Sequence, residues 1–378
     1  MTSKPTVLSL FSGCGGLDLG FAMEGFEIVE AYDHWAPAVE THNKNKSLIG
    51  GTAFQKSLAL KDNEITLSKL PDTDVILGGP PCQGYSFAGK QRIDDPRNFL
   101  YLDFKKIVEY KKPKVFLLEN VRGLEKMALS DVKKSFAEIG YNSTVTRAKA
   151  IDLGIPQTRE RVIIVGTPQK KEPFRTPEVL MGELFGAKRP MSILEAIGDL
   201  PAPTPFNKEN DLTGSFIDDH CYHPFSQIEG KFIVHIPNGG YYKNAPRETL
   251  PERLKKIYDN PIKYKSPRLF PKPDPNDQVQ TIPASSSPSI GGVIAPDLEY
   301  KNGLAVEIDP AEYTENGIYK SPNGSRRFTP REIARLQTFP DSFTFTGRSS
   351  TKSKMIGNAV PVEMARVFAE EIKKQVFS

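Results

Sequence analysis

Cys82 follows Gly79-Pro80-Pro81 at the end of the apolar run Val75-Ile76-Leu77-Gly78. A thiol on a loop stiffened by two prolines is either a nucleophile or a buried, inert side chain. The chain has three cysteines in 378 residues and no C-x-x-C pair, so neither a zinc site nor a redox dithiol is expected, and no metal centre. Glu119, in Leu118-Glu119-Asn120-Val121, closes the next apolar run. A carboxyl group there can donate a proton, or else cap a helix or pair with a cation. Gln157-Thr158-Arg159-Glu160-Arg161 precedes a third apolar run, 162–165. In an extended stretch Gln157, Arg159 and Arg161 share one face. Two neighbouring guanidiniums need anionic company, which a substrate carbonyl, a phosphate or a surface charge cluster supplies.

A second kind of chemistry is written near the N-terminus. Leu10-Phe11-Ser12-Gly13-Cys14-Gly15-Gly16-Leu17-Asp18 runs from a strand through a glycine turn into a helix. Glycine backbone turns tightly and lets a nucleotide-like ligand come close. This is not G-x-G-x-x-G, because Asp18 takes the third glycine's place; a nucleoside ligand is favoured over a dinucleotide. Asp33 ends the following strand, where a carboxylate hydrogen-bonds a ribose, and His34 or Trp35 can stack on a base. A plain glycine turn is the alternative reading.

These residues need a scaffold that brings strand ends together. The periodicity predicts strands at 7–10, 28–33, 75–77, 115–118, 143–147 and 162–165, with helices opening at Leu17, Ala36, Leu100 and Val132 between them. Strands alternating with helices imply an α/β, doubly wound, mostly parallel sheet, whose sites lie at the strands' C-terminal ends. Proline usage then changes: eight of the 32 prolines precede residue 168, and 23 fall between Pro168 and Pro340. That shift predicts a catalytic and cofactor-binding domain over 1–189. A smaller, irregular target-recognition domain follows over 190–345, and 346–378 returns to the first domain. Near the end, Thr329-Pro330 reads as a helix N-cap and first turn. Gly357-Asn358-Ala359-Val360-Pro361 reads as a turn into an amphipathic last helix over 362–376.

Composition narrows the class. Hydrophobic residues are 38% and charged residues 25%, as in a globular enzyme, and no apolar stretch reaches the ~20 residues of a membrane span. Few cysteines and no export signal predict a cytoplasmic protein. The net charge is only +4, yet residues 231–272 hold ten Lys and Arg against three Asp and Glu. Phe232, Tyr241, Tyr242, Tyr258, Tyr264 and Phe270 are interleaved there, which fits a phosphate backbone as well as it fits a solvated face.

Six segments together resemble the DNA (cytosine-5)-methyltransferase family of bacterial restriction-modification type. They are the glycine loop, Pro-Pro-Cys-Gln, Glu-Asn-Val, Gln-Thr-Arg-Glu-Arg, Arg-Phe-Thr-Pro-Arg-Glu and Gly-Asn-Ala-Val, in the family's order and spacing, over about 5–167 and 326–375. The resemblance implies an S-adenosylmethionine-dependent enzyme, releasing S-adenosylhomocysteine, that methylates C5 of cytosine in a short site of double-stranded DNA. It implies Cys82 as the nucleophile at C6 of a flipped-out base and Glu119 as the group contacting N3 and the exocyclic amine. It further implies that Arg159 and Arg161 position the base carbonyl and the catalytic loop, and that residues 83–95 form the closing element.

For the cofactor, Phe11, Gly13, Cys14, Gly16 and Leu17 match the first motif, and Asp33 the ribose acid. Pro81, Leu100, Asn358 and Ala359 match further pocket positions. Two positions depart: Ser57 stands nearest to where the family often has an Asp on the adenine amine, and His34 replaces a larger stacking residue. The expected protein is a monomer, nucleoid-associated in use, partnered by a restriction endonuclease acting on the same site. The alternatives are an RNA cytosine methyltransferase on the same scaffold and a non-catalytic DNA-binding relative. The basic insert favours duplex DNA, because groove reading needs a separate module. Presence of Cys82, Glu119, Arg159 and Arg161 disfavours the non-catalytic reading.

Overall fold

The computed structural model describes residues 3–81, 100–124, 129–180, 188–206, 219–264, 269–283 and 293–378. Cys82 and the loop 83–95 lie outside the described residues. Seven strands form the main sheet: β1 (Thr6–Leu10), β2 (Glu27–Asp33), β3 (Thr52–Gln55), β4 (Val75–Gly78), β5 (Val115–Val121), β6 (Tyr141–Lys149) and β7 (Glu160–Pro168). Their order is β3-β2-β1-β4-β5-β7-β6, parallel except for β7, which runs against both neighbours. This is the doubly wound, mostly parallel sheet that the alternating pattern implies. β3 is an addition to that reading: it is four residues long, and only Ala53 of it is buried.

Each face of the sheet has its own core. Val7, Leu77, Leu117, Ile163 and Val165 point to one side, beneath helix α1 (Gly16–Met23) and the last helix, Val362–Val376. Leu8, Leu10, Ile76, Phe116, Leu118 and Ile164 point to the other, against Phe104, Ile107, Val108 and Phe136. Alternating side chains along apolar strands require cover on both faces, and the crossover helices supply it. α1 and the last helix approach closely because residue 20 is glycine. A Cβ there would stand 2.5 Å from Ala365 Cβ and 2.7 Å from the Arg366 nitrogen. The amphipathic last helix thus occupies the range its pattern predicts.

From 190 onward the strands shrink to pairs of two to four residues, such as Leu298–Lys301 with Leu304–Glu307 and Thr314–Glu315 with Ile318–Tyr319. Phe232, Ile233, Ile236, Tyr242, Leu254, Phe270 and Ile294 form a separate small core. Ile193, Ile197, Val279, Ile282, Leu298 and Ala305 instead join the core of the large sheet. The helix Pro330–Leu336 begins as expected: Thr329 caps it, its hydroxyl accepting from the Glu332 N–H at 3.1 Å while the Glu332 carboxylate accepts from the Thr329 N–H at 2.8 Å. One segment differs from the expectation. Residues Ser349–Asn358 form a helix, so Gly357 and Asn358 end it, and the turn into the last helix shortens to Ala359–Pro361. Only Met355, Ile356 and Gly357 of that helix are buried, too few to write a helical period.

Candidate active site

β4 and β5 are parallel neighbours with Gly78 opposite Leu118, so Gly79-Pro80-Pro81 and Glu119 leave the sheet side by side. A Cβ on Gly79 would lie 3.1 Å from Glu119 Oε2. Asn120, the next residue of β5, donates its side-chain amide to the Pro80 carbonyl at 3.1 Å. The approach to Cys82 is therefore tied to the strand that carries the carboxyl group. The pairing of β5 with β7 sets Arg161 opposite Val121. From there Arg161 Nε reaches Glu119 Oε1 at 2.7 Å, with both side chains largely buried. Desolvation pulls Arg161 below the ordinary guanidinium range, and the Glu119 charge opposes that pull.

Arg159 points elsewhere and is wholly buried. Its two terminal nitrogens donate to carbonyls, Nη1 to Ile282 at 3.3 Å and Nη2 to Gly357 at 2.9 Å. Its Nε has no partner among the described residues. Burial, then the neighbouring Arg161 charge, lowers Arg159 well below its usual range, with Glu119 working the other way. Gln157 also faces the C-terminal region: its amide donates to the Leu336 carbonyl at 3.0 Å and to Gln337 Oε1 at 2.9 Å. Gln337 in turn donates to the Ile356 carbonyl at 2.9 Å. The stretch 157–161 thus clamps the carboxyl group at one end and the 356–357 backbone at the other. Gln337 and Asn120 are absent from the sequence-derived set, because their partners come from distant segments.

The glycine loop stands at the ends of β1 and β2. Gly13 has φ +56° and Gly15 φ +95°, and a Cβ on Gly13 would meet nothing within 4 Å, so the backbone there faces open space. Phe11 also takes a positive φ, 55°. Asp33 holds the loop: its Oδ2 accepts from the Gly13 N–H at 2.9 Å and its Oδ1 from the Trp35 N–H at 2.8 Å. Below, the buried Asp18 accepts from Ser9 Oγ at 2.5 Å and pairs with His42 Nε2 at 2.8 Å. Cys14 and Leu17 turn into the core, and burial pushes the Cys14 thiol up to about 12, so it packs rather than reacts. At Gly16 a Cβ would meet the Val360 carbonyl at 2.6 Å and Ala359 Cβ at 3.2 Å. The start of α1 therefore abuts Ala359, while Asn358 is exposed at its helix end.

A cavity of about 380 Å³ opens beside the loop, lined by Phe11, His34, Ser57, Leu58, Ala59, Lys61, Asp62, Pro81 and Leu100. Five of these, Phe11, His34, Ser57, Pro81 and Leu100, are positions that the sequence singled out. Leu58, Ala59, Lys61 and Asp62 are not; all four follow Ser57, the last two in the one-turn helix Leu60–Asp62, which has no periodic signature. His34 is exposed, its Nδ1 3.4 Å from Asp33 Oδ1. Trp35 instead lies under the Lys354 ammonium, 4.6 Å from the ring centre. The size suits part of a nucleoside-bearing ligand. With the open backbone at Gly13 and the carboxylate at Asp33, the residues present fit S-adenosylmethionine.

Sheet order, the reversed seventh strand and a glycine loop beside the cavity give the architecture expected of an S-adenosylmethionine-dependent methyltransferase. The family model for C-5 cytosine-specific DNA methylase matches residues 5–374. The Type II methyltransferase M.NgoFVII of Neisseria gonorrhoeae is 32% identical, covering 99% of this chain and 90% of that protein. M.MthTI of Methanothermobacter thermautotrophicus is also 32% identical, over 98% and 97%. Among solved structures, a candidate DNA modification methyltransferase encoded within an E. coli prophage superposes with a TM-score of 0.68 at 24% identity, over 99% and 100%. S. pombe Dnmt2 methyltransferase reaches 0.61 at 17% identity, over 98% and 99%. The chain belongs to the C-5 cytosine-specific DNA methylase family; it is a DNA cytosine-5 methyltransferase. Among the described residues no helix is long and apolar enough to cross a membrane.

Proposed function

We propose that this enzyme methylates C5 of one cytosine within a short specific sequence of double-stranded DNA, through a covalent bond between Cys82 and C6 of a flipped-out base. The observation that carries the reading is the Glu119–Arg161 pair, held at 2.7 Å beside the Gly79–Pro81 segment that leads to Cys82. C5 of cytosine is a weak nucleophile. A thiolate from Cys82 adding to C6 makes C5 enamine-like, while Glu119, which must carry a proton when the base is bound, gives it to N3 and is left as the carboxylate paired with Arg161. Arg161 orients that carboxyl group, and Arg159 fixes the backbone around it. S-adenosylmethionine supplies the methyl group. Loss of the C5 proton to a base then expels the Cys82 thiolate, N3 returns its proton to Glu119, and the aromatic ring is restored. C6 is out of reach inside a duplex, so the base leaves the stack.

Phe11, Asp33, Pro81 and Leu100 hold the cofactor in this reading, with Gly13 and Gly16 giving the backbone room. The 1–189 segment and the 346–378 return carry catalysis, and 190–345 carries recognition, with its basic block on the phosphates. The enzyme acts as a cytoplasmic monomer on nucleoid DNA, beside a restriction endonuclease of the same site; the Type II naming of its relatives supports that last point. Bisulfite sequencing of DNA from a host expressing the chain tests the whole reading. The expected result is resistant cytosines in one short context, absent with Cys82→Ser. Resistance that persists in the variant overturns the covalent mechanism. Resistance confined to RNA overturns the DNA substrate.

A further inference from the structure

The proposed reaction needs two groups of residues in register: Glu119 and Arg161, which act on the base, and the glycine loop, which holds the methyl donor. Glu119 stands on β5 and the glycine loop follows β1, with β4 between them. Beyond the strand ends, the last turn of the helix Ser349–Asn358 is tied to both groups. A helix end leaves carbonyls without intrahelical donors. Three successive ones here meet side chains from three other segments. The Met355 carbonyl accepts from the Cys14 thiol of the glycine loop at 3.9 Å, the Ile356 carbonyl from Gln337 at 2.9 Å, and the Gly357 carbonyl from Arg159 at 2.9 Å. Ala359, just beyond, is the residue whose Cβ a side chain on Gly16 would meet at 3.2 Å.

Gln337 is the junction. It is fully buried and ends the helix Pro330–Leu336. A carbonyl can only accept, so the Gln337 nitrogen faces Ile356 and its oxygen is left to accept from the Gln157 amide at 2.9 Å. Its backbone carbonyl accepts from the Val362 N–H at 3.2 Å, where the last helix starts. Gln157 and Arg159 are buried on either side of the exposed Thr158, so both turn toward this junction. The next residue of that alternation, Arg161, reaches Glu119. One face of the approach to β7 is therefore anchored to consecutive carbonyls, Gln157 to Ile356 through Gln337 and Arg159 directly to Gly357. We infer that Gln337 is a positioning residue: it holds the Arg161–Glu119 pair in register with the loop that carries the methyl donor, and touches neither base nor cofactor. This rests on the proposed covalent mechanism and adds to it a residue from the C-terminal region.

Two stages of the reaction depend on that register unequally. Once Cys82 has added to C6, C5 can take a proton from water and lose its original one. Expulsion of the thiolate then returns cytosine with a solvent hydrogen at C5. This exchange needs the Cys82, Glu119 and Arg161 side alone. Methyl transfer also needs C5 and the donated methyl group in line, where a misplacement of about 1 Å can cost about 100-fold. Exchange is read as tritium released from duplex DNA tritiated at C5 of cytosine, with S-adenosylhomocysteine bound. Transfer is read as single-turnover methyl incorporation from S-adenosylmethionine. Gln337→Met removes both side-chain hydrogen bonds at similar volume. It should slow transfer about tenfold or more and exchange by no more than about threefold, with S-adenosylhomocysteine affinity retained. Gln157→Met cuts the same connection and should act alike. The double variant removes both amides together, so it should be no slower than the slower single variant, and it serves where a single variant does not fold. Equal slowing of exchange and transfer, or slowing of neither, overturns the inference and leaves the covalent reading standing. Absence of exchange in the wild-type protein overturns both.

Discussion

Under the large sheet Asp18 is buried between Ser9 and His42; in the insert Lys272 is buried between Asp297, Ser325 and Tyr319. The two settings differ in what surrounds them. Asp18 joins β1, α1 and the helix α2 (Ala36–Lys44), whose positions strands with buried apolar side chains already determine. Lys272 lies outside the seven-stranded sheet, among segments with only two- to four-residue strands. Its ammonium donates to Asp297 Oδ2 and to Ser325 Oγ, each at 2.7 Å, and Tyr319 donates to the same Asp297 oxygen at 2.6 Å. Asn238 closes the knot by pairing with both backbone groups of Asp297, at 2.9 and 3.1 Å. Desolvation lowers the Lys272 pKa, and the Asp297 charge resists it. The large-sheet region is thus held by periodic apolar surface, with polar contacts such as Asp18 with Ser9 and His42 added to it. The insert, rich in proline and with short strands among its described residues, is tied across four stretches, at 238, 272, 297 and 319–325, by one ionic cluster.

The largest effect should come from breaking that cluster. Lys272→Met leaves the Asp297 carboxylate buried without its cation, a loss of about 3–5 kcal/mol. Hydrogen exchange should show the 232–254 amides losing protection while β1, β4 and β5 keep theirs, with S-adenosylhomocysteine affinity retained. If sheet and insert amides open together, the two regions are one cooperative unit and the contrast drawn above fails. The double variant Lys272→Met with Asp297→Asn should recover part of the loss, because no buried charge remains alone. The matching change under the sheet, Asp18→Asn, should cost less, about 1–3 kcal/mol by urea denaturation, since an amide keeps a partner on each side. A larger loss than for Lys272→Met would reverse the ranking of the two sites. The smallest effect is expected where the regions meet: Thr329→Ala removes a helix cap worth about 1 kcal/mol. Thermal melting should register that change with no change in ligand affinity.

The candidate site was legible in proportion to how local its signals are. Glu119 and the approach to Cys82 were readable because each closes an apolar run, and neighbouring parallel strands bring their ends together. The Asp33 position was readable for the same reason, although its carboxylate proves to bind the Gly13 and Trp35 amides as well as facing the loop. Arg159 and Arg161 read as a pair on one face. The structure separates their partners, a carboxylate for one and two backbone carbonyls for the other. Asp62 gave no signal at all, because a three-residue turn has no period to detect. β3 and the helix Ser349–Asn358 escaped for a related reason: each buries too few residues to write a pattern.

By itself, then, the order of residues determined the alternation of strands and helices, the cap at Thr329, the range of the last helix and the family. Those features depend on contacts within a turn or two of chain, or on motifs that stay contiguous. Only the tertiary structure decided that Gln157 meets Gln337, that Gly20 lets α1 lie against the last helix, that Asp62 reaches the cavity and that Lys272 finds Asp297. Each of these joins segments whose separation along the chain carries no periodicity. Packing chooses them, because a buried polar group must find its partner wherever the fold places one.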